Sequence, residues 1–290
     1  MRMKSTIVLF FIALFPWTVL CAGNNAAESF RDEVKALVKD GVANADPNAL
    51  IEAAKNDDID LVKSLVKNKE INIDKTDGNG YTALMYAVKN RNEYMVNILL
   101  SNEADPNAHS WRGPSALSVA VTDCRPSAEY NEEVGVISLL LRNGATRDKN
   151  NAVCTAAING CLSVAKFLFD NDAKIRDRIE NPVVVQTVKA IPLVEYPFMK
   201  RNEELYAQII ELLVKNKARV DIPDGIPERP EDRHTALEHA IRKGMPLIVQ
   251  TLLDQGAKVD HHHVDMAAYY GKDDIVVMLA NKIAENKYKK

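Results

Sequence analysis

The sequence lacks the short motifs that mark most nucleotide-binding proteins and many hydrolases. It contains no G-x-G-x-x-G, no G-x-x-x-x-G-K-[ST] and no G-x-S-x-G. Phosphate-cradling loops and the nucleophile elbow require these glycine patterns. Asp and Glu total 40 of 290 residues, so paired carboxylates arise by chance and do not indicate acid–base chemistry. Since no nucleophile, base and orienting group fall into one pattern, we predict a non-catalytic protein without a cofactor.

A strong charge of either sign is also absent. Lys and Arg total 37 against 40 Asp and Glu, giving a formal net charge of −3. A nucleic-acid-binding domain would show a basic stripe that attracts phosphates. The lysine-rich end at residues 282–290 is therefore interpreted as a solvated tail, and no nucleic-acid partner is predicted.

Long apolar runs are confined to the N-terminus. Arg2 and Lys4 precede an apolar run at residues 6–20, followed by the small residues Cys21, Ala22 and Gly23. This order is typical of a secretory signal peptide at residues 1–23, and the run is shorter than the roughly 20 residues of a membrane span. We expect export, to a periplasm rather than outside the cell, a mature start between residues 22 and 26, and no membrane span afterwards.

Two alternatives remain for this leader. It could stay attached as an uncleaved anchor, or Cys21 could become a lipidated N-terminus in a membrane-tethered structural lipoprotein. Leu20 disfavours lipidation, because bacterial lipoprotein processing usually needs a small residue there.

Residues 77–107 form a unit that cannot be stable alone. A turn at residues 77–80 is followed by Thr82, a suitable N-cap, and by two short apolar helices at residues 83–90 and 93–100. Helices this short are marginal in water without packing partners. The unit therefore predicts copies of itself elsewhere in the chain.

Such copies recur in one frame. A small residue precedes a leucine by 12 positions in five units, at Ala53–Leu65, Ala87–Leu99, Ala156–Leu168, Ala240–Leu252 and Ala267–Leu279. The unit that stands third along the chain has the longer spacing of 20 between Ala120 and Leu140. The unit that stands fifth is recognised mainly from residues 209–218. Together these give about seven units.

The unit resembles an ankyrin repeat, which consists of a β-turn finger and two antiparallel helices. The resemblance is carried by Thr82-Ala83-Leu84 and Ala104-Asp105-Pro106-Asn107, with Ala in place of the usual Pro after the threonine. It implies an all-α solenoid of about seven stacked helix-turn-helix units including caps. It also implies a protein partner, of unidentified nature, held by a monomeric scaffold.

The domain boundaries follow from this frame. We expect a capping helix at residues 24–45, repeats at residues 46–260, and a C-terminal capping repeat with a tail at residues 261–290. Insertions fall near residues 121–132, 191–203 and 222–232. The second carries Tyr196, Phe198 and Met199, which favours a binding role, although surface loops also vary in length at little cost.

The resemblance also predicts the binding surface, since turn tips and first helices hold partners in this family. Trp111 is the strongest candidate, because tryptophan, tyrosine and arginine dominate binding hot spots. The predicted partner-binding residues are Gly78, Asn79, Tyr81, Lys89, Asn90, His109, Trp111, Arg112, Arg147, Asp148 and Asn150.

Cysteines and histidines give two further expectations. Cys124 and Cys161 occupy near-equivalent positions after stacked first helices, so an exported protein could join them in a disulfide. The alternative is that these two and Cys154 are buried thiols.

The run His261-His262-His263 is interpreted as an exposed turn rather than a metal site, because no second ligand cluster lies beside it. Likewise the segment at residues 234–239 is interpreted as the start of a repeat rather than a zinc-protease helix. An envelope enzyme or metal-binding protein that uses the histidine run or the inserted loops remains the runner-up function.

Overall fold

The computed structural model describes most of the chain after residue 47. The described residues are 48–111, 113–122, 124, 132–175, 182–191, 198–224 and 234–288, with side chains omitted at 132–133 and 198–201. The predicted capping helix at residues 24–45 and the leader lie outside them. Among the described residues no helix is both long and apolar enough to cross a membrane.

Fourteen α-helices are present in these ranges and pair in chain order into seven units. They are α1 Ala49–Lys55, α2 Ile59–Leu65, α3 Ala83–Lys89, α4 Glu93–Ser101, α5 Ala116–Thr122, α6 Glu132–Arg142, α7 Lys149–Ile158, α8 Leu162–Asp170, α9 Val183–Ala190, α10 Phe198–Lys215, α11 Ala236–Lys243, α12 Pro246–Asp254, α13 His261–Tyr269 and α14 Asp273–Tyr288. The first helix of each unit packs on its own second helix and on the first helices of its neighbours. Second helices likewise pack on second helices. The predicted all-α solenoid is thereby confirmed.

Local capping explains where these helices begin. The Thr82 hydroxyl accepts a hydrogen bond from the Met85 amide at 3.2 Å, as the sequence predicts for α3. The Asn92 side chain accepts from the Met95 amide at 2.9 Å at the start of α4. Each cap satisfies an amide that has no partner inside its helix.

The repeated Ala–Leu frame forms the core. Ala87 and Leu99 are both fully buried, as are their counterparts Ala156 and Leu168. Alanine on the first helices lets neighbouring helices approach closely, whereas leucine on the second helices fills the space between rows. Apolar burial between neighbouring units therefore holds the stack together.

Two segments in this region have a helical course that the sequence did not predict. Residues 198–203, which fall within the predicted insertion, form the first turns of the 18-residue helix α10. The three histidines at residues 261–263 were expected in a turn, but they begin α13. Asp260 caps that helix, since its carboxylate accepts from the His263 amide at 3.3 Å.

The last unit has smaller side chains on its outer side. Alignment on Ala240 and Ala267 places Ala268 opposite Ile241, which is fully buried. In the same alignment Ala280 stands where unit six has the buried Leu253. These two smaller side chains reduce the apolar surface that the last unit exposes at these positions. The C-terminal capping repeat at residues 261–290 stays a prediction.

Candidate protein-binding surface

The second unit presents a rigid finger at residues 77–81. The Asp77 carboxylate accepts hydrogen bonds from the amides of Asn79 and Tyr81, both at 2.9 Å. The Asp77 amide in turn donates to the Tyr81 carbonyl at 2.9 Å, and Gly80 adopts the left-handed conformation with φ +81°. A β-turn of this kind needs glycine at such a position.

A tyrosine from helix α3 fastens this finger to the stack. The Tyr86 hydroxyl donates to the Asp77 carboxylate at 2.7 Å. Burial and this contact with Asp77 raise the pKa of Tyr86 to about 12. Burial alone would raise the pKa of Asp77, but the hydrogen bonds from Tyr81, Tyr86 and Asn79 outweigh it and lower that pKa. Asp77 is therefore an ionised anchor for the finger.

The finger of unit three, which carries Ser110, Trp111 and Gly113, lies directly against the finger of unit two. A Cβ atom on Gly80 would meet the Ser110 hydroxyl and would lie 2.9 Å from the Cα atom of Gly113. A Cβ atom on Gly113 would lie 2.8 Å from the Gly80 carbonyl oxygen. Two glycines thus let the backbones touch, and Trp111, which the third finger carries, lies beside the second finger.

Aromatic and cationic side chains cover this pair of fingers. Trp111 is 88% exposed, and His109 on the same finger is exposed as well. The rings of Tyr81 and Tyr86 lie 5.2 Å apart, and the Lys89 ammonium lies 6.0 Å from the Tyr81 ring centroid. That distance is at the outer limit of a cation–π contact.

The remaining predicted surface residues lie in different environments. Gly78 and Asn79 are exposed at the tip of the second finger. Arg147 is half-buried with its Nε atom 3.8 Å from the Asp148 carboxylate. Arg112 lies outside the described residues.

Two predicted surface residues instead connect neighbouring units. The Asn90 side-chain amide donates to the Ala54 carbonyl at 3.1 Å and the Lys55 carbonyl at 3.4 Å. The Asn150 side-chain oxygen accepts from the Lys174 amide at 2.7 Å. Because these groups already have partners inside the stack, Asn90 and Asn150 are omitted from the surface proposed below.

Sequence reasoning missed a series of ties of the same kind. The Asn159 amide donates to the Val121 and Thr122 carbonyls at 3.1 Å, in the position that Asn90 occupies in its unit. The Lys243 ammonium does the same at the end of α9. The signal was available, because all three residues follow the anchoring alanine by three positions.

The structure joins Cys124 and Cys161 in a disulfide with a Cα–Cα distance of 6.3 Å. This is the pair that the sequence spacing indicates. It links the segment after α5 to the residue before α8 across a sequence separation of 37. Cys154 is half-buried and lies outside this bridge.

The described residues bring together no three His, Cys, Asp or Glu side chains in an arrangement that could hold a metal ion. The first histidines of α13 are solvent-exposed, and His263 is paired with Asp260, 2.7 Å away. The geometry of this part of the chain is thus that of a helix cap.

Comparison with known proteins identifies the repeat. Residues 22–110 match the family model of ankyrin repeats in three copies. An ankyrin repeat protein of fowlpox virus is 24% identical over 219 residues, covering 74% of this chain and 32% of that protein. The protein glp-1 of Caenorhabditis elegans is 28% identical over 150 residues, covering 46% of this chain and 11% of that protein. The chain thus spans a third or less of these relatives.

Solved structures agree over a larger part of the chain. An ankyrin repeat domain from Acinetobacter baumannii AYE is 27% identical with a TM-score of 0.56, covering 73% of this chain and all of that one. The ankyrin repeat domain of Bcl-3 is 19% identical with a TM-score of 0.56, covering 78% and 97% of the two chains, which shows a shared fold. The chain carries ankyrin repeats and folds as an ankyrin-repeat solenoid, an architecture that serves as a protein–protein interaction scaffold.

Proposed function

We propose that this protein is an exported, non-catalytic scaffold that holds a protein partner on its second and third fingers. The observation that carries the proposal is Trp111, which is 88% exposed on a finger fixed by close backbone contact. Large exposed aromatic side chains on a rigid support lose little entropy on binding, and tryptophan is enriched in binding hot spots.

The neighbouring side chains support the same surface. Tyr81 is half-buried, and its contact with the Tyr86 ring holds it in a fixed position. Lys89 is exposed beside it, and His109 lies two residues before Trp111. Aromatic anchors bordered by polar and cationic groups are typical of a contact patch with a dry centre and a wet rim.

Export is a separate part of the proposal and depends on the leader at residues 1–23. Mass spectrometry of the protein recovered from its native compartment is expected to find a mature N-terminus between residues 22 and 26. An intact Met1 would overturn the cleavage, and a lipid-modified Cys21 would replace the scaffold in solution by a membrane-tethered one.

The binding proposal is tested by affinity capture from the native compartment with the mature protein, the Trp111→Ala variant and the Tyr288→Ala variant. Tyr288 is a matched control, since it is also 88% exposed but lies at the end of α14. Loss of a hot-spot side chain costs about 2 kcal/mol or more, or roughly thirtyfold in affinity. A partner retained by wild type and Tyr288→Ala but lost by Trp111→Ala is the expected result. Equal retention by all three proteins would refute this surface.

A further inference from the structure

Units two and six hold the residue before the N-cap of their first helix to an aspartate in the same way but with different residues. We define the tyrosine lock as Asp77, Tyr81 and Tyr86, and the histidine lock as Asp224, His234 and His239. In both, the second residue, Tyr81 or His234, directly precedes a threonine N-cap. The third residue, Tyr86 or His239, lies five positions after the second, and its side chain contacts the aspartate.

The backbone contacts of the two locks correspond one to one. The Asp224 amide donates to the His234 carbonyl at 3.0 Å, as the Asp77 amide donates to that of Tyr81 at 2.9 Å. The His234 amide donates to the Asp224 carboxylate at 3.1 Å, as Tyr81 does to Asp77. The ring pairs also correspond, at 5.6 Å for the histidines and 5.2 Å for the tyrosines.

The locks differ in what can titrate between pH 5 and 8. Histidine changes charge in that range, whereas tyrosine does not. We propose that the histidine pair makes the attachment of Asp224 and His234 to helix α11 sensitive to pH, whereas the tyrosine pair keeps the corresponding attachment in unit two constant.

The charges around the histidine lock explain why protonation weakens it. The Asp224 side chain is 8% exposed, and its carboxylate is already paired with the Lys189 ammonium of α9 at 2.7 Å. The His239 ring is farther away, with its Nε2 atom at 3.4 Å from the same oxygen. A proton on His239 therefore shares the attraction of this carboxylate with Lys189, which lies beside it, and the half-buried position of the ring opposes the charge.

His234 faces a second cation on its own helix. An Arg242 guanidinium nitrogen lies 3.4 Å from the His234 Nδ1 atom, and since arginine can only donate, the neutral ring accepts this hydrogen bond. Protonation of Nδ1 removes the acceptor. The nearby Glu238 carboxylate, 3.6 Å from Nδ1, already accepts from the Thr235 amide at 2.7 Å.

The cluster is thus balanced only while both histidines are neutral. Two carboxylates, Asp224 and Glu238, then offset the cations Lys189 and Arg242. On its other side α11 packs against α13, whose ionisable side chains are His261, His262, His263, Asp265 and Tyr269. Of these, His263 is paired with Asp260 at the helix start. Protonation of His239 adds a positive charge to a cluster whose anions are already paired.

The pKa of His239 agrees in direction. Burial lowers it, Asp224 raises it, and Lys189 and His234 lower it further, so that it lies below 6.5 in the folded protein. The folded state then binds fewer protons than the unfolded state as the pH falls through 6.5. The contribution of His239 to stability is therefore complete above that pH and declines below it.

The test is residue-resolved hydrogen exchange of the full mature protein at about pH 7.5 and about pH 5.5, expressed as protection factors. The amides of Asp224 and His234 report the histidine lock, and those of Asp77 and Tyr81 are the control in the same molecule. We expect protection to fall by about threefold or more at the histidine lock, while protection at the tyrosine lock stays constant.

Two variants, each built from the other lock, make the result decisive. The double variant His234→Tyr, His239→Tyr is expected to remove the pH dependence. The variant Tyr81→His, Tyr86→His is expected to introduce it in unit two, where Lys55 and Lys89 are the neighbouring cations. Constant protection at Asp224 and His234 would overturn the proposal. An equal fall at both locks would also overturn it, because that would be a general loosening of the stack. Should the first variant fail to fold, the second decides alone.

Discussion

Replacing Lys243 by methionine is expected to loosen the stack between units five and six. The ammonium of Lys243, at the end of α11, donates to the carbonyls of Val188, Lys189 and Ile191 at 3.1, 2.7 and 2.8 Å. These carbonyls belong to the last turn of α9 and to the residue after it, and the Val188 carbonyl also accepts from the Ile191 amide at 3.4 Å. Methionine keeps the length and packing of the side chain but cannot donate a hydrogen bond.

The magnitude follows from which carbonyls water can reach after the substitution. Lys189 is exposed, so water can replace the ammonium there, whereas Val188 and Ile191 are buried. A buried acceptor left without its partner costs about 1–3 kcal/mol. Burial lowers the pKa of Lys243, which shows that holding this charge in the stack has a cost of its own. We therefore expect Lys243→Met to lower the free energy of unfolding by about 1–3 kcal/mol.

Urea unfolding followed by far-ultraviolet circular dichroism measures this change, with Lys215→Met as the matched control. Lys215 is an exposed lysine in the last turn of α10. Hydrogen exchange should rise in α9 and α11 and stay constant in α1 to α4, because repeats contact only their neighbours. If the two variants have free energies of unfolding within about 0.5 kcal/mol of each other, the reasoning about these carbonyls is refuted.

Three further outcomes are expected. Gly80→Ala should destabilise the protein by about 2 kcal/mol in the same urea assay, since φ is +81° and a Cβ atom would press on Gly113. Gly78→Ala is the control and should change the stability little, because a Cβ atom there would have nothing within 4 Å. Equal effects of the two variants would contradict the close contact between the fingers. Asp77→Asn should lower the free energy of unfolding by about 1–3 kcal/mol at pH 7 and by less below pH 4. The pKa of Asp77 is lowered in the folded protein, so its contribution to stability is fully present above pH 3.8 and is lost as the pH falls through the folded pKa. A cost that does not change with pH would contradict an ionised anchor. Non-reducing peptide mapping should recover linked peptides of Cys124 and Cys161, and recovery of only free thiols would refute the bridge. Cys124→Ser should lower the free energy of unfolding by up to about 4 kcal/mol, given the sequence separation of 37. Cys154→Ser should keep the linkage.

The helical units could be predicted because one short pattern recurs. Helices α3 and α4 follow directly from the Thr82 cap and from the burial pattern around Ala87 and Leu99. The start of α10 could not be found in this way. The spacing between repeat positions placed residues 191–203 in an insertion, yet a proline just before a helix, such as the one at position 197, is also a common start signal. The boundary depends on packing against neighbouring units, which the local sequence does not express.

The side chains of the candidate surface were harder to assign than the fold. Exposure of Trp111 and Lys89 follows from their positions on a finger and at the end of a first helix. Asn90 has the same local context, yet its side-chain amide donates to the Ala54 and Lys55 carbonyls at the end of α1, which lie 36 and 35 residues earlier in the chain. Only the register between units separates a residue that faces solvent from one that joins two units.

Register also reveals what the histidines near residue 234 do. Taken alone, the segment from His234 to His239 resembles a distorted metal motif and was assigned only to the start of a repeat. Aligned with unit two, it places His234 on Tyr81 and His239 on Tyr86, and Asp224 takes the role of Asp77. Both units place an aspartate carboxylate opposite a donor on the first helix, and both tyrosine and histidine can donate. The two units therefore differ in whether the donor can change charge between pH 5 and 8, a difference that the shared contact does not require.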